Sequence, residues 1–303
     1  MLKKIFVGFL LSPLSGAGFA TPALIDGNWL KQRLDSPGLF LLDIQETVHY
    51  QRYHVPGAVN APYGLWRTGK ESKNPGMLPS TRALETLLVK LGVNNDDHVI
   101  IVATGMGAGD MAAAARVLWT MKSVGHEKIS ILDGGLADYA NRFRGPLDNA
   151  PVTPSPGTYQ VRPNLQWLAD ESRVKQAIKN DTPLLDARSL GEFKGLVTGG
   201  GTQRGGTLPD ASHLPFEWFF SEKGRIHRLD ASRALYQAVG LNPDQDGTIH
   251  FCQSGNRAAL SWFVDYAVLG NTNARLYDAS MAEWARLDHN PEQRPMHQSI
   301  KLP

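Results

Sequence analysis

The chain holds one cysteine, Cys252, in 303 residues. It can form no internal disulfide, so its fold must be held by a hydrophobic core. It has little excess charge: 31 basic residues face 29 acidic ones. No dense basic patch is interleaved with aromatics, which speaks against nucleic acid as a partner. Its nine histidines show no pair at metal-ligand spacing, so no metal is expected. The apolar run at the N-terminus, Ile5 to Leu14, is too short to span a bilayer. What is present, 42% hydrophobic and 20% charged residues, suits a soluble globular protein with room for two domains.

The first twenty residues, "MLKKIFVGFLLSPLSGAGFA", stand apart. Lys3 and Lys4 form a basic start, Ile5 to Leu14 an apolar stretch, and Gly18-Phe19-Ala20 supplies small residues at a cleavage site. This is the pattern of a secretory signal peptide, predicting cleavage after Ala20 and a periplasmic or secreted protein, with no membrane attachment once the signal is removed. The segment carries two lysines and no acid, so the remaining charges balance. A lone thiol in an oxidising compartment is a liability. Cys252 is therefore either a buried packing residue or a reactive one.

An internal repeat decides between these. "LFLLDIQETVHYQRYHVPGAVNAPY" (39–63) parallels "TPLLDARSLGEFKG" followed, after a Gly-rich insertion, by "GTLPDASHLPFEWF". The strand, glycine loop, apolar helix and second strand of residues 98–140 parallel those of 248–285. Asp43 and Asp186 stand 143 positions apart, and Asp133 and Asp278 stand 145 apart. A steady offset means a duplicated domain. Strands alternating with helical stretches predict an α/β fold with a mainly parallel sheet covered on both faces. The expected division is a signal peptide (1–20), a first domain (21–147), a Pro- and Gly-rich linker (148–162) and a second domain (163–303). Ala103 stands where Cys252 stands, so the fold does not require the thiol. This favours a reactive cysteine.

Cys252 ends the strand-like run Thr248–Phe251, and Gln253-Ser254-Gly255-Asn256-Arg257 leads into a helix. A loop entering a helix gathers amide N–H groups around one point, and the helix start adds positive potential. Gly255 allows a backbone angle closed to other residues, and Arg257 adds a full charge. The expected product is a nucleophilic thiolate in an anion-binding nest. Cysteine phosphatases and sulfurtransferases both use such a nest. Four residues separate Cys252 from Arg257, one fewer than a phosphatase loop needs to wrap a tetrahedral phosphate. The shorter loop better fits one terminal sulfur carried on the cysteine.

With "LLDAR", "HVPGAVNAP", "FCQSGNRA" and the strand-end Asp278, the chain resembles the rhodanese family in its tandem two-domain form. The resemblance implies two rhodanese-like domains, the first inactive and the second catalytic. It implies a thiosulfate or 3-mercaptopyruvate sulfurtransferase that carries sulfur as a Cys252 persulfide and needs no metal or organic cofactor; thiosulfate is the expected donor, and nothing in the sequence demands more than a monomer. The partners it implies are a small anionic sulfur donor and a thiophilic acceptor, cyanide or a thiol. Cys252 would be catalytic. Gln253, Ser254, Gly255, Asn256 and Arg257 would bind the donor, as would Arg188, where the first copy has Gln45. Asp186 reads as structural. Ser254 matches the serine of 3-mercaptopyruvate sulfurtransferases, but the acid expected after the "HVPGA" turn is missing before Glu71. A 3-mercaptopyruvate sulfurtransferase and a non-enzymatic persulfide carrier are the alternatives. Arg67 and Lys70, in "YGLWRTGK", are candidates to reach across the domain interface. The Gly-rich stretch 196–207 reads as an insertion bordering the cleft, with Arg204 a candidate substrate contact. Trp218 and Phe219 read as core packing.

Overall fold

A computed structural model describes residues 21–72, 75–199, 204–221, 224–244 and 247–287. The expected signal peptide, 1–20, and the centre of the Gly-rich insertion, 200–203, lie outside the described residues.

The first half runs β1 (Leu24–Ile25), α1 (Gly27–Lys31), β2 (Leu39–Asp43), α2 (Thr47–Tyr50), β3 (Val59–Asn60), a 3₁₀ turn (Tyr63–Trp66), α3 (Thr81–Leu91), β4 (His98–Val102), α4 (Ala108–Ser123), β5 (Ile129–Leu132) and α5 (Gly135–Asn141). The second half repeats it: β6 (Leu168–Ala169), α6 (Glu171–Lys179), β7 (Leu184–Asp186), α7 (Leu190–Phe193), β8 (Ser212–His213), a 3₁₀ turn (Phe216–Phe219), α8 (Leu229–Ala238), β9 (Ile249–Phe251), α9 (Arg257–Phe263), β10 (Arg275–Tyr277) and α10 (Ser280–Trp284). Each half forms a five-stranded sheet, ordered β1-β5-β4-β2-β3 and β6-β10-β9-β7-β8. Every pairing within these sheets is parallel.

The strands are near-continuous apolar runs because both sheet faces are covered. Along β4, Val99 and Ile101 pack to one face, while Ile100 and Val102 pack to the other. β7 divides in the same way between Leu184 and Leu185. Helix starts carry their own signals: Ser80 and Asp170 each accept an amide of the first turn, and Ser189 with Glu192 forms a capping box.

The two halves share one core. α4 is buried on nearly every side from Met111 to Ser123, so it is a central helix rather than an amphipathic surface one. It packs along α9, whose residues Ala258 to Phe263 are all buried, and Trp119 and Trp262 belong to the same apolar cluster.

Each half also clamps the other. Asp133, at the end of β5, accepts the Ile226 amide (2.9 Å) and the Arg228 guanidinium (2.9 Å) of the second half. Asp278, its counterpart after β10, accepts the Leu78 amide (2.8 Å) of the first half and pairs with Arg116 of α4. Both carboxylates are buried, so each depends on donors sent by the other half.

The segment between the halves is an ordered strap. It has no helix or strand from 149 to 166, yet it bonds along the first half: Gly157 N–H to Val89, Val161 N–H to Glu85 and Arg162 N–H to Val124. Among the described residues no helix is long and apolar enough to cross a membrane.

Replacing Asp133 by Ala strands the buried Ile226 amide. Urea unfolding should show a loss of about 1–3 kcal/mol, and Asp133→Asn, which keeps one acceptor, should lose less.

Candidate active site

Cys252 follows the last residue of β9 and is only 1% exposed. Its amide donates to Ser280 Oγ (3.1 Å), and its carbonyl accepts the Met281 amide (3.1 Å). Ser280 Oγ in turn donates to the Tyr277 carbonyl (2.7 Å). Ser280 holds φ +51°, a left-handed conformation unusual for a residue with a side chain. Its counterpart in the first half is Gly135, at φ +59°. The strained serine is therefore kept where its hydroxyl fixes the cysteine.

The loop then turns through Gly255 at φ +73° into Asn256 in the right-handed region. A left-handed residue beside a right-handed one points successive amides into one concavity. Among the described residues, the amides of Ser254 to Arg257 meet no hydrogen-bond acceptor. α9 starts at Arg257, so its positive end adjoins the loop. The turn expected from the sequence is present, directly after the only cysteine in the chain.

Much of its support comes from the thiol-less half. Arg67 Nη2 donates to the Ser254 carbonyl (2.9 Å) and to Ser254 Oγ (3.2 Å), while its Nε holds the Gly76 carbonyl (2.8 Å). Tyr63 OH donates to Asn256 Oδ1 at 2.6 Å. Burial pushes the Tyr63 hydroxyl above its ordinary pKa, against the pull of Arg67 and Arg116, so it stays a neutral donor. Beneath the loop, Arg116 is fully buried, lies 4.7 Å from the Trp119 ring and pairs with Asp278. A Cβ at Gly255 would meet Arg116 Nη1, so the cation sits directly under the loop.

Of the predicted residues, Cys252 to Arg257 come together, and Arg67 reaches them. Lys70 is exposed. Arg257 is bidentate to Glu192, at 2.7 Å on both arms. Burial works against the Arg257 charge. The hydrogen bonds it donates to Glu192, then the charges of Cys252 and Glu192, outweigh it and hold its pKa above the ordinary value. Burial likewise raises the Glu192 pKa, but hydrogen bonds from Arg257 and Ser189 overcome this and bring it to about 2.

Arg188 is engaged at its own strand end. It is buried, and its guanidinium grips both Asp186 oxygens (2.7–3.1 Å) and the Gly206 carbonyl (2.7 Å). Its own amide also donates to Asp186. Gln45 binds Asp43 through the same two groups in the first half. Arg188 thus braces the strand end, with its guanidinium paired to Asp186. Arg204 caps the end of α10 through the carbonyls of Trp284, Ala285 and Leu287. Phe219 is core, while Trp218 is half exposed. His250, two residues before Cys252, is consumed by Ser261 (3.1 Å) and Asp265 (2.9 Å). Among the described residues, no group of three His, Cys, Asp or Glu side chains is placed to hold a metal.

Sequence reasoning missed Arg116, Tyr63, Glu192 and Ser280. Arg116 gives the only available signal, since a charged residue inside the apolar run of α4 must have a buried partner.

Two predictions follow from this geometry. Gly255→Ala puts a Cβ 2.7 Å from the Asp278 carbonyl in a conformation costly for L residues. It should lower the melting temperature, destabilising by about 1–3 kcal/mol, and alter the rate at which iodoacetamide alkylates Cys252. Glu192 has a folded pKa of about 2, below its ordinary 4.5, so its pair with Arg257 stabilises fully above pH 4.5. That stabilisation is lost as pH falls through about 2. Acid titration of Glu192→Gln should therefore lack this component of the wild-type acid limb.

Comparison with known proteins agrees with this geometry. The family profile of the rhodanese-like domain matches residues 26–142 and 170–287. A protein of Saccharopolyspora erythraea named "Putative thiosulfate sulfurtransferase" is 29% identical over 282 residues, covering 91% of this chain and 97% of the relative. The sulfur carrier protein TtuD of Thermus thermophilus is 26% identical, covering 89% and 96%. The crystal structure of SseA from Escherichia coli, described as a 3-mercaptopyruvate sulfurtransferase, superposes with a TM-score of 0.75 at 27% identity, covering 86% of this chain and 99% of SseA. With both halves matched, the chain belongs to the rhodanese family as a tandem of two rhodanese-like domains, of which only the second carries a cysteine.

Proposed function

We propose that this protein is a sulfurtransferase that takes the outer sulfur of thiosulfate onto Cys252 and passes it to a thiophilic acceptor. The observation that carries this reading is the Cys252 loop, with amides free from Ser254 to Arg257 and Arg67 bound to Ser254. Thiosulfate is a small dianion, and a nest of amides beside guanidinium groups suits it. The Cys252 thiolate attacks the outer sulfur, a new S–S bond forms, and the S–S bond of thiosulfate breaks. Sulfite leaves with the electron pair. The loop amides then hold the terminal sulfur of the persulfide anion. Cyanide or a thiolate attacks that sulfur, the persulfide bond breaks, and the Cys252 thiolate returns. This is covalent catalysis in two half-reactions. With one cysteine in the chain, no second thiol competes to resolve the persulfide.

The likeness to SseA favours a second donor, 3-mercaptopyruvate. Ser254 suits it, but the Ser254 hydroxyl faces Arg67 rather than an acid, which favours thiosulfate. The name of TtuD suggests a third reading, a carrier that turns over poorly alone. The N-terminal pattern supports action outside the cytoplasm.

Incubation with thiosulfate should add one sulfur atom to the intact mass. Cyanide should remove it, and Cys252→Ser should show none. Mercaptopyruvate loading faster than thiosulfate would reverse the order of donors, and loading by neither would end the sulfurtransferase reading. Arg67→Gln should raise KM for thiosulfate about tenfold or more, as expected for one lost charge-assisted contact.

A further inference from the structure

A cavity of about 900 Å³ lies over Ala103, the residue that takes the place of Cys252 in the first half. The two loops share a scaffold. Leu136 and Ala137 donate to the carbonyls of Ala103 and Thr104 (2.8 and 3.0 Å), as Met281 and Ala282 do to Cys252 and Gln253 (3.1 and 2.9 Å). They differ in what covers them. In the second half Gly199 lies against the Gln253 side chain, and Arg204 and Gly206 are tied to α10 and Arg188. The first half has no matching insertion between α2 and β3, and there the site is open.

The open site has its own chemistry. The Met106 amide donates to the Asp110 carboxylate at 2.9 Å, so an acid sits where the other loop would hold an anion. Glu46 adds a second negative charge to the lining, Arg52 a positive one, and His49 a ring nitrogen. Tyr53 and Met106, 63% and 77% exposed, give it an apolar rim that solvent alone would not favour.

We propose that this cavity binds a small zwitterion: an amino acid or short peptide with a free ammonium, a free carboxylate and an apolar side chain. The ammonium pairs with Asp110 and Glu46, the carboxylate with Arg52 and His49, and the side chain lies on Tyr53 and Met106. The volume falls in the range of small-molecule sites, roughly 300–1,000 Å³, and far exceeds the need of a sulfur oxyanion. The wall of the cavity is shared with the reactive loop. Tyr63 and Asn256 both line it, and the Tyr63–Asn256 hydrogen bond belongs to the loop of Cys252. An occupant that favours or opposes that bond changes the setting of Cys252 by the same free energy.

Calorimetric titration of the full chain with the dipeptide Leu-Leu tests this. The expected result is saturable binding, weakened about tenfold or more by N-acetylation or C-amidation of the peptide. Asp110→Asn and Arg52→Gln should weaken it similarly, with circular dichroism unchanged. Cys252→Ser should bind as wild type does, which separates this site from the sulfur site. Saturating peptide should change the rate of Cys252 alkylation in wild type but not in Tyr63→Phe. No binding up to about 10 mM, equal binding of the blocked peptides, indifference to both charge variants, or loss in Cys252→Ser would each overturn the proposal.

Discussion

A buried carboxylate at the end of a strand must find donors, and here each half supplies the donors of the other. Asp278 is held by Leu78 and Arg116, and Asp133 by Ile226 and Arg228. Removing either half would strip these acids of their partners and open the shared core to water. The reactive loop rests on this exchange. Arg116 lies under Gly255, and the arm that carries Leu78 also carries Arg67 to Ser254. A half without a thiol is thus retained as the mount for the half that has one.

The charges divide by what they touch. Arg188, Arg116 and Arg257 are each matched to a carboxylate, while Arg67 meets only carbonyl and hydroxyl oxygens in the contacts described above. A guanidinium bound to neutral acceptors keeps its full charge for a ligand, whereas one in a buried pair contributes far less field. The positive potential at the loop therefore comes from its amides and from Arg67 more than from the arginines nearest in sequence.

The duplication was legible because each copy repeats strand-end acids and Pro-containing turns at nearly constant spacing, and the loop was legible because Cys252 has a cysteine-free twin in Ala103. A strand-end arginine two residues after an aspartate satisfies a local motif for a substrate cation and also for a local strut, and only burial tells them apart. The contacts of Tyr63 and Asn256 and of Arg116 and Asp278 span more than 150 positions. No local pattern encodes such pairs, so the interface half of the site emerged only from the fold.

Ser280 carries a consequence for how this protein can change. Glycine would relieve its left-handed backbone, which costs a residue with a Cβ about 1–2 kcal/mol. The first copy has taken that route with Gly135. It has no thiol whose amide needs an anchor. In the second copy the easier backbone would release the Cys252 amide from its hydroxyl partner. Stability and sulfur chemistry pull in opposite directions at this one position, so selection for heat tolerance alone would be expected to erode the site here first.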